Sequence, residues 1–343
     1  MARRRTTATS LSNAWSRAVR FGLAVLSHRS PHTWQPKRKA DPAVVARTRR
    51  PPVGAGQWIA GVAAGVSGMR RYRLYKPAGI KFSDRLPLMM MLHGCGQDAE
   101  GFAACTRMNT LAAREGFLVL YPEQNRIANP KRCWNWFDTS AGRAFGEAAL
   151  IINAIDQVCA LYPVDRTRIS VAGLSAGASM AALLVTRHPE RFNAVVMHSG
   201  IPPGTAHSTV TALAAMHGYR AKRPLATIPA AMTSVWPPLM VIHGRDDRVV
   251  APSNGQAAVN AWADAAGATA SGARTVRRGK RYPAQVTDFK RRGATVATLV
   301  EVVGLGHAWS GGAASQAFSD ALGPDASRMA WAFASKQARM MAA

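Results

Sequence analysis

Short apolar runs alternating with stretches of helical periodicity constrain this chain more than any other feature. Residues 86–92, 117–121, 168–174, 194–197, 239–242 and 297–303 are such runs. Segments that short, apolar without a polar face, read as strands buried on both sides. Between them, residues 108–115, 144–161 and 176–188 carry a helical repeat, and Ala148, Ile151, Ile152, Ile155 and Val158 fall on one face. Trp331 lies in a closing helix. Strands alternating with helices imply βαβ units: an α/β architecture with a mostly parallel sheet and helices on both faces. In such sheets, functional residues gather at the carboxyl ends of the strands. Sustained structure is expected from about Met69, where Arg71 to Tyr75 alternate like an early strand. The Gly- and Ala-rich residues 54–68 stay ambiguous. Residues 202–237 read as an excursion over the sheet, and 269–293 as a basic hairpin or loop.

Charge is the second constraint. The chain has 343 residues and a formal net charge of +26. Residues 1–50 hold twelve Lys or Arg against one acid, Asp41. They lack the apolar content for a core. Residues 1–53 are therefore expected to form a basic, unstructured N-terminal extension, with one short amphipathic helix near 13–26, and 54–343 the folded α/β domain. A second basic stretch, residues 274–292, holds eight cations against Asp288. The tail can contact an anionic surface. Aromatics are sparse in both stretches, so no specific nucleic-acid partner is expected. No run of about 18 apolar residues exists, so no transmembrane segment is expected. The four cysteines form no C-x-x-C pair, which argues against a zinc site. The start of the chain is basic, but its apolar stretch at 21–26 is short for a signal-peptide core.

Gly173-Leu174-Ser175-Ala176-Gly177 fits the G-x-S-x-G turn that exposes a serine hydroxyl between a strand and a helix. A structural Gly-rich turn also fits the pattern; the strand before it and the small residues after it favour the nucleophile. A serine hydroxyl needs an imidazole to take its proton and a carboxylate to orient that imidazole. In this fold the order along the chain is Ser, acid, His. Asp246 and Asp247 follow the run at 239–242; Asp247 is the favoured acid and Asp246 a solvated loop residue. His243 reads as structural, as do His188, His198, His207 and His217. His307, on the glycine loop past the last strand, is the base. The oxyanion hole needs two backbone N–H groups. Ala176 supplies one, and Cys95, in the loop His93-Gly94-Cys95-Gly96-Gln97, the other.

Beyond the elbow, several motifs resemble the poly(3-hydroxybutyrate) depolymerase family of esterases, within the α/β-hydrolase superfamily. They are Leu92-His93-Gly94-Cys95-Gly96-Gln97, Tyr121-Pro122-Glu123-Gln124, Arg132-Cys133-Trp134-Asn135-Trp136-Phe137, Asp165-Arg166-Thr167-Arg168-Ile169 and Gly306-His307-Ala308-Trp309-Ser310-Gly311-Gly312. Ser310 stands where many members have proline. The resemblance covers about residues 70–335. It implies an α/β-hydrolase fold and hydrolysis of polyester or short-chain esters through an acyl-enzyme, without cofactor or metal. It also implies an extracellular location and a disulfide between Cys95 and Cys133, tying the oxyanion loop to the Trp-rich segment. Cys105 and Cys159 are expected as buried thiols. Trp134, Trp136 and Trp309 are expected to line an apolar ester site, with core packing as the alternative for Trp134 and Trp136. Competing readings are a feruloyl or acetylxylan esterase, a peptidase on the same fold, and a non-catalytic binding protein.

Overall fold

The computed structural model of the chain describes residues 56–219 and 236–342. Its centre is an 11-stranded sheet. Strands β3 (Leu86–Leu92), β4 (Leu118–Pro122), β5 (Val164–Leu174), β6 (Ala194–His198), β7 (Leu239–Gly244) and β11 (Ala294–Val302) run parallel, in the order β4-β3-β5-β6-β7-β11. Antiparallel strands extend both edges. On one side are β2 (Gly68–Pro77) and β1 (Gly56–Gly65). On the other is β10 (Ala284–Arg291), carrying the short β8 (Thr269–Ala270) and β9 (Arg274–Val276).

The apolar runs are continuous because both faces are covered. Leu88, Met90 and Leu92 of β3 enter one core, while Met89 and Met91 enter the other. The first core lies under α3 (Arg143–Leu161), α4 (Ala176–Arg187) and α6 (Ser253–Ala266). The second lies under α1 (Ala99–Thr106), α2 (Met108–Glu115) and α7 (Ala326–Ala342). A short helix, α5 (Thr209–Met216), sits in the excursion after β6. By length and composition α3 could also cross a membrane, but here its stripe of Ala144, Ala148, Ile151, Ile155 and Val158 is packed into the first core.

The predicted strands are present, with ends shifted by a few residues. Three readings need correction. The sheet opens at Gly56 and not near Met69. Strand β1 has few strand-forming side chains, and it is held by an unbroken backbone register with β2, from Gly56 opposite Pro77 to Gly65 opposite Gly68. Residues 269–293 are more than a hairpin: β10 pairs along β11 and extends the main sheet. Helices α1 and α6 are additional. Helix α1 starts where the Asp98 side chain accepts the Gly101 N–H at 2.9 Å. The expected extension over residues 1–53 and the middle of the excursion, 220–235, lie outside the described residues.

Gly61 shows how β1 is seated. A Cβ there would lie 2.1 Å from the buried Tyr72 ring. Gly61→Val is expected to lower the unfolding free energy by about 1–3 kcal/mol, the usual range for overpacking. Urea denaturation measures this, and an unchanged midpoint would mean that β1 does not pack on Tyr72.

Candidate active site

The three triad candidates and Cys95 fall on loops leaving the carboxyl ends of parallel strands. Ser175 follows β5, Asp247 follows β7, His307 follows β11, and Cys95 follows β3. Ser175 is partly exposed, with φ 56° and ψ −121°, a conformation that costs a non-glycine residue about 1–3 kcal/mol. Neighbours hold it there. Its N–H donates to the His198 carbonyl at 2.8 Å, and its carbonyl accepts from Ser179 N–H at 3.1 Å. The flanking glycines are required by close approach. A Cβ on Gly177 would lie 2.1 Å from the Leu92 carbonyl oxygen, and one on Gly173 would lie 2.4 Å from the Gly177 backbone. The turn is thus pressed against the end of β3, beside the loop that carries Cys95.

Asp247 and His307 meet directly. Nδ1 of His307 donates to Oδ2 of Asp247 at 2.8 Å. Oδ1 accepts the N–H groups of Val249 and Val250, each at 2.9 Å. A second imidazole borders the same carboxylate: Nε2 of His243 lies 3.4 Å from Oδ2 and 3.0 Å from the Val250 carbonyl. Burial acts to raise the Asp247 pKa, but the hydrogen bonds from His243 and His307 outweigh it and hold the carboxyl well below its ordinary range. Asp246 is exposed, and its N–H donates to the Leu305 carbonyl at 3.1 Å.

In the Cys95 loop, Gly94 N–H donates to Gln97 Oε1, Gln97 N–H to the Gly94 carbonyl, and Gly96 N–H to the Lys131 carbonyl. No hydrogen bond among the described residues takes up Cys95 N–H. The Ala176 N–H opens helix α4, where the first amides have no partner within the helix. Cys95 and Cys133 are disulfide-bonded, with Cα atoms 4.2 Å apart.

Two neutral histidines hold the loops. His93 Nε2 accepts the Gln124 N–H at 3.1 Å, so the proton sits on Nδ1, 2.8 Å from the Gly94 carbonyl. His198 Nε2 accepts the Ser310 N–H at 3.1 Å, and its Nδ1 faces Ser199 Oγ. A proline at 310 would lack that N–H. Burial is the main cause that lowers His93 to about 4 and His198 to about 3. The sequence alone marked neither ring as a loop anchor.

Four other expectations change. Trp134 and Trp309 are wholly buried, with their indole N–H groups on the His93 carbonyl and Ser327 Oγ. Trp309 packs edge-on to Phe102 and stacks on His198. Both therefore support the loops from behind and do not line an ester site. Trp136 keeps only a 6% exposed margin and packs edge-on to Phe137. Cys159 is only half-buried, on the outer part of α3, whereas the Cys105 thiol is buried and pushed up to about 12. Among the described residues, no cluster of His, Cys, Asp and Glu is arranged to hold a metal.

The strained serine after β5 and the carboxylate–imidazole pair after β7 and β11 define an α/β-hydrolase-fold protein. An acetyl xylan esterase structure from Aspergillus awamori shares this fold, with TM-score 0.59 and 18% identity over 74% of this chain and 94% of that one. The family model described as "Esterase PHB depolymerase" matches residues 70–281, and the chain belongs to that family. The poly(3-hydroxyalkanoate) depolymerase C of Paucimonas lemoignei is 33% identical over 49% of this chain and 42% of its own. A feruloyl esterase B of Neurospora crassa is 25% identical over 57% of this chain and 70% of its own. The chain thus spans less than half the length of the depolymerase that it matches.

His93 and His198 give a pH prediction. Their folded pKa values are depressed, so the unfolded chain takes up these protons near pH 6.5, while the folded chain does so only near 4 and 3. Their contribution to stability is full above about pH 6.5 and is lost as pH falls toward 4. Each ring adds a slope of about 1.4 kcal/mol per pH unit. Urea unfolding at pH 7, 6 and 5 is expected to show this decline; a flat profile over that window would mean that the rings are protonated in the fold.

Proposed function

We propose that this chain is a serine esterase that hydrolyses carboxylic esters through an acyl-enzyme, with Ser175 as nucleophile, His307 as base and Asp247 as acid. The observation that carries this reading is the buried Asp247–His307 hydrogen bond of 2.8 Å, on the same sheet edge as a serine held at positive φ and separated from it by the end of β6. Because Nδ1 of His307 donates to Asp247, Nε2 is left as the acceptor for the serine proton. As Ser175 Oγ attacks the ester carbonyl, that proton passes to His307, and the imidazolium is stabilised by Asp247. Negative charge forms on the carbonyl oxygen, and the N–H groups of Cys95 and Ala176 are its donors. Such donors are worth about 3–4 kcal/mol each. The imidazolium then gives its proton to the departing alcohol, and water releases the acid by the reverse steps.

The favoured substrate is poly(3-hydroxybutyrate) or its oligomers. Family membership and the similarity to a poly(3-hydroxyalkanoate) depolymerase support it. The second reading, a feruloyl- or acetylxylan-type polysaccharide esterase, is favoured by the similarity to feruloyl esterase B and by the fold shared with an acetyl xylan esterase. A panel of hydroxybutyrate oligomers, methyl ferulate, acetylated xylan and p-nitrophenyl esters separates the two. Preference for the oligomers supports the first; preference for ferulate or acetyl esters replaces it with the second.

Ser175→Ala is expected to abolish turnover of p-nitrophenyl butyrate with the fold intact by circular dichroism. Asp247→Asn is expected to lower kcat by about 10⁴-fold, the precedent for losing the orienting carboxylate of such a triad. Asp246→Asn, at an exposed position, is expected to stay near wild type. The opposite ranking of the two aspartates would transfer the acid role to Asp246.

A further inference from the structure

A buried polar chain runs behind the Cys95 loop, and the mechanism above does not use it. Its members are Arg70 on β2, Gln124 after β4, Asn135 beyond the disulfide, and Glu147 on α3, all buried. The Arg70 guanidinium donates to the Glu123 carbonyl at 2.9 Å and to Gln124 Oε1. It also lies over the Trp134 ring, 5.1 Å from its centroid. Gln124 passes the interaction on: its Nε2 donates to Glu147 Oε1 at 2.6 Å and to the Cys133 carbonyl at 3.0 Å. Asn135 gives Glu147 two more bonds, from its N–H to Oε2 at 2.9 Å and from its Nδ2 to Oε1 at 2.7 Å. A cation, an amide and an anion are thus joined in series, and the charges at its two ends fix which way the Gln124 amide points.

The chain is coupled to the Cys95 loop at four points. Gln124 N–H donates to His93, and Trp134 Nε1 donates to the His93 carbonyl at 3.0 Å. Lys131 accepts the Gly96 N–H at 2.8 Å, and Cys133 is bonded to Cys95. Every one of these contacts comes from the segment 124–135, and Glu147 is the carboxylate that collects the polar groups at both of its ends. Glu147 lies on the same face of α3 as Ala144, Ile151 and Ile155. A carboxylate on an apolar stripe is costly unless its oxygens are satisfied, and here they accept three hydrogen bonds.

We propose that Glu147, acting through Gln124 and Asn135, is a positioning residue that aims the Cys95 N–H at the developing oxyanion. This rests on the esterase reading above. The carboxylate touches no reacting atom. Its effect is to keep the loop from drifting, and a misplacement of about 1 Å in a catalytic donor can cost roughly a hundredfold in rate.

Glu147→Gln in the full chain is the test. It keeps the size of the side chain and removes the charge. The readouts are kcat and KM on p-nitrophenyl butyrate, the inhibition constant of an alkylboronic acid that presents a tetrahedral oxyanion to the serine, and the melting temperature. The expected result is a fall in kcat of about 10- to 100-fold, short of the roughly 10²–10³ for losing a donor outright. Boronate affinity should fall in parallel, and KM should stay within about threefold of wild type, since transition-state and not ground-state binding is lost. Asn135→Ala, which leaves Arg70, Gln124 and Glu147 in place, should move the same two readouts in the same direction by a smaller factor, and it decides the matter if Glu147→Gln does not fold. A folded variant with wild-type kcat and boronate affinity, or with a raised KM at unchanged kcat, overturns the proposal. Retained activity in Ser175→Ala would instead remove the esterase reading; wild-type kcat and boronate affinity in Glu147→Gln remove only this one.

Discussion

Burial of the six parallel strands on both faces is the constraint on which the rest of this structure depends. Strand β3 sends Leu88, Met90 and Leu92 into one core and Met89 and Met91 into the other, and its neighbours divide in the same way. Polar side chains within such strands would have to leave water without partners, at a cost of about 1–3 kcal/mol or more each. Chemistry is therefore displaced to the strand ends. Because the strands are parallel, their carboxyl ends share one edge, and residues distant in sequence converge there. Asp247 and His307 are sixty positions apart, yet they form one 2.8 Å hydrogen bond.

At that edge the energetic problem is reversed. Polar groups are needed, but several are almost or wholly out of water: His93, His198, His243, Asp247, Arg70 and Glu147. The fold solves this by giving one group several roles. His198 takes the Ser175 N–H with its carbonyl and the Ser310 N–H with its ring, so a single residue links the serine turn to the histidine loop. Asp247 uses one oxygen on two backbone amides and the other on His307. Glu147 uses both oxygens on the segment that supports the Cys95 loop. Lost in isolation, any of these partners would leave a buried group unsatisfied, which costs more than the bond itself contributes.

Much of the fold was legible because buried strands and amphipathic helices leave unambiguous periodicities. The strand at Leu86–Leu92 and the helix at Met108–Glu115 have the ends that the sequence suggests. Strand β1 was not legible: it reads GQWIAGVAAG, and its pairing resides in backbone hydrogen bonds that no side chain encodes. Helix α6 did leave a signal: it is rich in alanine, and Ala258, Val259, Trp262 and Ala263 form its buried stripe. The tryptophans misled for a physical reason. The family resemblance puts Trp134 and Trp309 near the site, but a sequence does not say which side of a loop they face, and they pack inward. Glu147 did leave a signal, as a lone acid among Ala144, Ile151 and Ile155 on an otherwise apolar face.

The sequence by itself determined the alternation of strands and helices, and hence a parallel sheet with its functional edge. It also determined the order Ser175, Asp247, His307 along the chain, since each residue sits just past an apolar run whose ends periodicity marks. Only the tertiary structure decided which of two adjacent aspartates is buried against an imidazole, that Cys95 lies 4.2 Å from Cys133 between Cα atoms, and which histidines stay neutral. Those outcomes depend on burial and on partners brought from distant elements. Periodicity is a local property that a single segment carries, whereas desolvation and hydrogen-bond pairing exist only once the whole chain has closed around a group.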